Sequence, residues 1–242
     1  VTRWREDPTR DNWGSYIFLR DVADGRVWSP AYQPCAIEPD DYEVVFAEDR
    51  VDFFRRDGGI ATKMEIGVSA EHDAEVRRVS VTNHGSRVCE IEITSFAELA
   101  LSRQGDDIAH PAFAKMFVET EFVAELGVVL ATRRRRADGD PHIWAAHLAV
   151  VEGQTFGDVQ FETDRARFLG RGRTTRTAAA IRDGWPLSNT CGAVLDPVFS
   201  LRRRVRVGPG ATARVAFWTI IAETRDEVLA LADKHHDAAA FE

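Results

Sequence analysis

Acidic residues are the first candidates for chemistry, because hydrolysis of a glycosidic bond needs one carboxyl group as acid and a second as base or nucleophile. The candidate acids are Asp106, Asp107, Glu119, Glu121, Glu162 and Asp164. Neighbouring acids in a loop, or acids at every second position of a strand, are more typical of a solvated face. The sequence therefore predicts no catalytic carboxylate pair.

Metal ligands and nucleophiles show no pattern of the standard kinds. The seven histidines are scattered, and His235 and His236 lie next to each other on a predicted helix, where their side chains would point apart. The three cysteines, Cys35, Cys89 and Cys191, are far apart in the sequence and odd in number. We expect no metal and no cofactor. Unpaired cysteines also suit a reducing compartment, so a cytoplasmic location is expected.

The most carbohydrate-like composition lies at residues 3–14, which are dense in Arg, Trp and carboxylates. Indole rings stack on sugar faces, and charged groups bind paired hydroxyls. A sheet edge held by surface ion pairs has the same composition and is the favoured interpretation. A second candidate region is residues 106–115, where His110 precedes Pro111 in a predicted loop that leaves the longest strand.

Charge argues against nucleic acid as a partner, because the chain carries a formal net charge of −8. One basic run, Arg133 to Arg136, is followed by a turn-like segment from Ala137 to Pro141. A solvated hairpin tip is the favoured interpretation of this run, with an anion site as the alternative. No stretch approaches the roughly 18 apolar residues of a membrane span, so a soluble domain is expected.

Hydrophobic residues from Tyr42 onward recur with a period of two, which indicates half-buried strands. Residues 75–82 and the strand from Cys89 are predicted to form a hairpin, with a bulge at Arg77 and Arg78. Residues 201–207 are predicted to present a cationic outer face, and residues 213–221 to form a central strand. Thr224 and Glu227 fit a capping box that begins a C-terminal helix. The pattern predicts one all-β domain over residues 1–224 and a helix over 225–242.

Several sequence stretches resemble glycoside hydrolase family 94, the cellobiose and chitobiose phosphorylases. They include Thr2 to Arg5, Trp13 to Tyr16, Leu19 to Asp21 and Trp28 to Pro30. Three further stretches, Thr2 to Asp7, His110 to Phe113 and Phe117 to Phe122, resemble the phosphorylase-like C-terminal region of cyclic β-1,2-glucan synthases. The resemblance implies a β-supersandwich like that of galactose mutarotase, which precedes an (α/α)6 barrel absent from these 242 residues.

The resemblance also implies where the chemistry lies. In family members the acid and the phosphate-binding groups belong to the barrel, and the sandwich walls the sugar site with the loop that corresponds to residues 106–115. This implies that Phe113 and Lys115 line a cleft for a β-glucan oligosaccharide, with His110 shaping the loop. The expected parent is an inner-membrane glucan synthase that carries this domain in the cytoplasm.

The sequence leaves two other functions open. The domain could be a purely structural or dimerisation module that contacts the barrel of the same chain, or a second copy, without binding a glycan. A free-standing sugar epimerase on the same fold would need a His and a Glu as acid and base. No convincing pair of that kind is present in the sequence.

Overall fold

The computed structural model describes residues 1–3, 14–135 and 138–236. Most of the predicted Arg- and Trp-rich stretch, the end of the basic run at Arg136 and the last residues of the predicted helix therefore lie outside the described residues. Within them, strands dominate and helices are short. Several of the connections between these strands contain a short helical turn, and the bounds of these turns are given below.

The strands are β1 Ser15–Asp21, β2 Val27–Trp28, β3 Asp41–Phe46, β4 Arg50–Asp57, β5 Ile60–Val68, β6 Ala74–Asn83, β7 Cys89–Glu98, β8 Val118–Val123, β9 Val128–Arg133, β10 Trp144–Glu152, β11 Gln154–Thr155, β12 Gln160–Asp164, β13 Gly192–Ala193, β14 Pro197–Val207 and β15 Thr212–Ala222. The helices are α1 Gln104–Ala109, α2 Pro111–Lys115, α3 Arg165–Leu169, α4 Ala179–Arg182 and α5 Arg225–Lys234, with a 3-10 turn at Thr175–Thr177.

Two antiparallel sheets face each other. The larger sheet has the order β13-β8-β9-β10-β15-β6-β5-β4-β3, and the smaller one has the order β11-β14-β7-β1-β2 with β12 also paired to β14. Inward-facing aliphatic side chains of both sheets form the main core, among them Ile91, Ile93, Val79, Val215 and Leu201. The prediction of an all-β sandwich is confirmed, as is the central position of residues 213–221, which form β15.

Each sheet also carries a helical layer on its outer face. The segment from α3 to α4 packs on the smaller sheet through Phe168, Leu169 and Ile181. Helix α5 packs on the larger sheet through Val228 and Ala232. The central strands β7 and β15 are therefore covered on both faces. This explains why β7 remains buried from Ile91 to its end at Glu98.

The predicted hairpin between residues 75–82 and the strand from Cys89 is wrong. Strand β6 pairs with β5 and β15, whereas β7 pairs with β1 and β14 in the other sheet. The bulge is also absent, because the register runs unbroken through Arg77 and Arg78. The apparent phase shift arises because Val76 contacts the α5 layer whereas Val79 and Val81 face the main core.

The cationic outer face predicted for residues 201–207 is only partly exposed. Arg202 is 2% exposed, because the α4 segment covers it. Its guanidinium donates hydrogen bonds to the carbonyl oxygens of Ala180 (2.6 Å) and Trp185 (2.8 Å), and to Thr94 Oγ1 (3.0 Å). Arg202 thus fastens the α4 segment to the smaller sheet. The predicted capping box is present in part: Thr224 Oγ1 accepts a hydrogen bond from the Glu227 amide at the start of α5.

Candidate functional site

A pocket of about 880 Å³ opens between the α1–α2 pair and the connection from β9 to β10. A volume of this size is typical of small-molecule sites. Its described lining residues are Leu101, Ser102, Arg103, Asp106, Ala109, His110, Phe113, Ala114, Arg133, Arg134, Arg135, Gly139, Asp140, Pro141 and Ile143. The lining combines apolar side chains, one aromatic ring and several charged groups.

The chain segment after β7 places α1 and α2 at the pocket. The amide of Ala100 donates a hydrogen bond to the carbonyl oxygen of Val1 (2.8 Å), and Thr2 forms a bridge with Leu99. Leu101 then adopts a φ of 48°, in the left-handed region that leucine rarely occupies, while its side chain is buried. Such strain persists only where the surroundings impose it. The conformation of the chain that leads into the pocket therefore depends on its contacts with the N-terminal residues.

Phe113 provides the aromatic wall. Its ring makes an edge-to-face contact with Phe117, with a centroid distance of 5.1 Å, and 48% of the residue is exposed. The guanidinium of Arg133 lies over the Phe117 ring at 5.4 Å and donates a hydrogen bond to the carbonyl oxygen of Ala114. Phe113 is thus held at its edge by Phe117, which Arg133 in turn covers, and its half-exposed ring can offer one face to a ligand.

A network of charged side chains holds α1 and α2 in place. It consists of three cations and three anions: Arg3, Lys115, Arg165, Glu98, Asp107 and Asp196. Arg3 binds both oxygens of Asp107 through Nε (3.1 and 3.3 Å) and lies 3.6 Å from Glu98. Arg165 donates to Glu98 (2.5 Å) and lies 3.7 Å from Asp196. Because four of the six members are buried and the charges balance, the network holds both helical turns in one position.

The three predicted site residues separate in the structure. His110, which joins α1 to α2, and Phe113 both line the pocket. Lys115 does not: it is 6% exposed, and its Nζ donates to Asp196 Oδ1. Burial lowers the pKa of Lys115, and the hydrogen bond to Asp196 opposes this shift. The predicted loop is helical here, and residues two apart on a helix point to different sides.

Five of the six acidic candidates take part in structural contacts. Asp107 binds Arg3, Glu119 pairs with Arg134, and Glu121 pairs with Arg225. Glu162 accepts hydrogen bonds from the amides of residues 163 and 164 and from Ser188 Oγ, and Asp164 caps α3. Asp106 lines the pocket, as does Asp140.

His147 is a further titratable group in the interior. It is 5% exposed and stacks between the rings of Phe199 and Phe217. Its two ring nitrogens lie 2.8 Å from Ser95 Oγ and 3.1 Å from Thr219 Oγ1. Hydroxyl partners on both sides and a closed core make this a structural histidine. It does not form the His and Glu pair that an epimerase would need.

Three further observations concern the described residues as a whole. Across 1–3, 14–135 and 138–236, no three His, Cys, Asp or Glu side chains gather as a metal site would require. None of the helices in those ranges combines the length and apolar character needed to span a bilayer. Cys35, Cys89 and Cys191 are all free thiols.

Comparison with known families decides what kind of domain carries this pocket. The sequence model described as glycosyl hydrolase 94, supersandwich domain, matches residues 1–238. The chain belongs to this family. The resemblance to family 94 drawn from the sequence is therefore confirmed, and the two-sheet sandwich is a supersandwich.

Known relatives of this family 94 chain are much longer proteins. It is 42% identical over 241 residues to the cyclic beta-(1,2)-glucan synthase NdvB of Rhizobium meliloti (strain 1021), a match that covers 100% of this chain and 8% of NdvB. It is 28% identical over 196 residues to the solabiose phosphorylase of Paenibacillus borealis, which covers 81% of this chain and 24% of that enzyme. The chain thus spans a small fraction of these relatives.

A solved structure shows the same fold. A bacterial glucoamylase complexed with acarbose superposes with a TM-score of 0.52 at 8% identity, over 93% of this chain and 29% of that one. At this identity the likeness shows the fold alone. The supersandwich is thus a scaffold that also occurs outside family 94.

The sequence did not indicate most of the pocket. Arg103, Ile143 and the run Arg133 to Arg135 line it together with His110 and Phe113. Arg133 ends β9, and Arg134 and Arg135 begin the connection to β10, as the predicted hairpin implies, but this connection returns beside α1 and α2. Only the pairing of β8 with β9 brings the arginine run to the helical turns. The run of consecutive arginines was the sequence feature that could have pointed to this part of the pocket.

Proposed function

We propose that this family 94 domain is non-catalytic and carbohydrate-facing: it walls a glucan site and supports the catalytic helical barrel of a cyclic β-1,2-glucan synthase-like parent. The observation that carries the proposal is the pocket of about 880 Å³ with the half-exposed ring of Phe113 on its wall. The 42% identity to NdvB supports a β-1,2-linked glucan as the ligand. A parent in the inner membrane, with this domain on its cytoplasmic side, is part of the proposal.

The residues on the wall suit a sugar. Phe113 offers an apolar face to the C–H surface of a pyranose, and His110, Ser102 and Asp106 offer hydrogen-bond donors and acceptors to hydroxyl groups. The network beneath α1 and α2 keeps these groups in place, which lowers the entropy cost of binding. Lys115 contributes by holding α2 rather than by contacting the glucan.

Titration calorimetry of the 242-residue chain with β-1,2-gluco-oligosaccharides tests the proposal. We expect saturable binding that Phe113→Ala weakens about tenfold, since loss of a stacked ring removes on the order of 1 kcal/mol of contact energy. Phe46→Ala is the matched control, because Phe46 is 79% exposed on the edge strand β3. Absence of binding by a folded chain, or equal affinity of wild type and Phe113→Ala, would contradict the proposal.

A second candidate function is docking of the rest of a family 94 chain, or of a second copy, with no glycan contact. Exposed apolar side chains on and near the α1–α2 pair favour it: Ile108, Phe113, Met116 and Leu195. Leu195 belongs to this group because the next residue, Asp196, binds Lys115 at the end of α2. If docking is the function, the chain will fold, fail to bind glucan and bury these residues against the barrel.

A further inference from the structure

The pocket has a charge opposite to that of the whole chain. The 242 residues carry a formal net charge of −8. The described lining of the pocket nevertheless contains four arginines and two aspartates: Arg103, Arg133, Arg134, Arg135, Asp106 and Asp140. Concentration of cations in one concave site of an acidic protein favours an anionic ligand there, because the walls focus the local potential.

The four arginines are engaged to different degrees. Arg134 pairs with Glu119 at 3.0 Å, and Arg133 is held by the carbonyl oxygen of Ala114 and the ring of Phe117. Arg135 donates to the carbonyl oxygen of Asp138 and lies 2.9 Å from His142 Nε2. In the part of the chain that the structure describes, neither Arg103 nor Arg135 has a carboxylate within 4.0 Å. Their positive charges are therefore available to a ligand.

Guanidinium groups prefer planar or tetrahedral oxyanions, to which they donate two hydrogen bonds at once. The same pocket offers the exposed face of Phe113, which suits the apolar side of a sugar. We propose that the pocket takes a glycan that bears an anionic group, and that Arg103 and Arg135 select this group. The inference rests on the proposed carbohydrate function and adds the charge of the ligand to it.

Two end-modified forms of one β-1,2-gluco-oligosaccharide provide the matched probes. Oxidation of the reducing end gives an aldonate with one carboxylate, and reduction gives an uncharged alditol of the same length. We expect calorimetry in low salt to show about tenfold tighter binding of the aldonate. This preference should shrink in 1 M salt, where the screening length falls to about 3 Å.

Variants assign the preference to the pocket. Arg103→Gln and Arg135→Gln should each reduce the ratio of aldonate affinity to alditol affinity several-fold, and both variants should fold, since both side chains are exposed and serve no ion pair among the described residues. Arg214→Gln is the control, because Arg214 pairs with Glu152 on β15 and β10, outside the pocket lining. Unfolding curves verify that all three variants fold.

The outcomes separate this inference from the proposed function. Equal affinity for aldonate and alditol overturns the charge selection and leaves the carbohydrate function intact. Binding of neither probe by the folded chain overturns both. Inorganic phosphate that binds alone, with no dependence of any probe on Phe113, shows an anion site without a glycan and overturns the inference. A preference that persists in both arginine variants also overturns it.

Discussion

Lys115 and Asp196 form a part-buried ion pair that joins the end of helix α2 to the segment just before strand β14. Through Asp196 the pair continues to Arg165, and from there to Glu98 and Arg3. Lys115, which the family resemblance places in a sugar cleft, is thus an anchor for α2 and does not line the pocket. The shape of the pocket therefore depends on the charged side chains that hold α2 in position.

Substitution of Lys115 by methionine should destabilise the fold. The variant retains roughly the length of the side chain but removes the nearer cation from Asp196 and leaves the 3.7 Å contact to Arg165. Because the Asp196 side chain is 28% exposed, water compensates part of the loss, and we expect a cost of about 1–2 kcal/mol. Urea unfolding of wild type and Lys115→Met measures the difference. Lys234→Met is the control, because Lys234 pairs with the exposed Glu71 and should change stability little.

A double substitution distinguishes the pair from simple loss of packing. Lys115→Met combined with Asp196→Asn should be less destabilising than the sum of the two single variants, because the second substitution removes the charge left unpaired by the first. Strict additivity of the two effects would show that Lys115 and Asp196 do not interact energetically.

His147 makes the stability of the domain depend on acid. Burial lowers the pKa of His147 to about 4, whereas an unfolded histidine titrates near pH 6.5. The unfolded state therefore binds the proton more readily, and the neutral core is fully stable above about pH 6.5. As the pH falls from there toward 4, about 3 kcal/mol of stability should be lost through this residue.

His147→Gln removes the titrating group and keeps a hydrogen-bonding side chain beside Ser95 and Thr219. The variant is expected to be less stable at neutral pH, but its unfolding free energy should vary less between pH 6.5 and 4 than that of wild type. The measurement is denaturant unfolding at several pH values. Parallel curves for the two proteins would show that His147 is not the source of the acid sensitivity.

The start of helix α5 offers a prediction of smaller size. Thr224 Oγ1 accepts the Glu227 amide at 3.2 Å, and Thr224→Ala leaves that amide without its cap. We expect a loss of about 1 kcal/mol in unfolding free energy. Thr224→Ser retains the hydroxyl and should recover most of it. If alanine and serine variants unfold at the same denaturant concentration, the hydroxyl contributes nothing to the helix.

The sequence predicts the strands of this domain better than their pairing. The central strand predicted at residues 213–221 matches β15 within one residue at each end, because a strand covered on both faces is apolar along its length. The sequence does not reveal that β6 and β7 lie in different sheets, since a turn at Asn83 and His84 suits a hairpin and a sheet crossing equally. Arg202 likewise follows the pattern of an exposed residue, and only the distant α4 segment buries it.

The site was predictable to a smaller extent. Residues 106–115 could be identified from their resemblance to family 94, and two of the three named residues do line a pocket. The position of Lys115 depends on two helical turns too short for a periodicity to reveal, and on a partner 81 residues away. The arginine run could not be assigned to the pocket from the sequence, because it reaches the pocket only where the β9–β10 connection returns beside α1 and α2. Long-range geometry of this kind has no local signal in one sequence.

The central claim is that a glucan binds in the pocket beside Phe113. Amide chemical shifts of the isotope-labelled 242-residue chain, recorded during titration with a β-1,2-gluco-oligosaccharide, test this claim most directly. We predict saturable shifts at Arg103, His110, Phe113 and Ile143, with the amides of the edge strand β3 unchanged. Shifts confined to other surfaces, or no shifts at saturating concentrations of the oligosaccharide, would contradict the account.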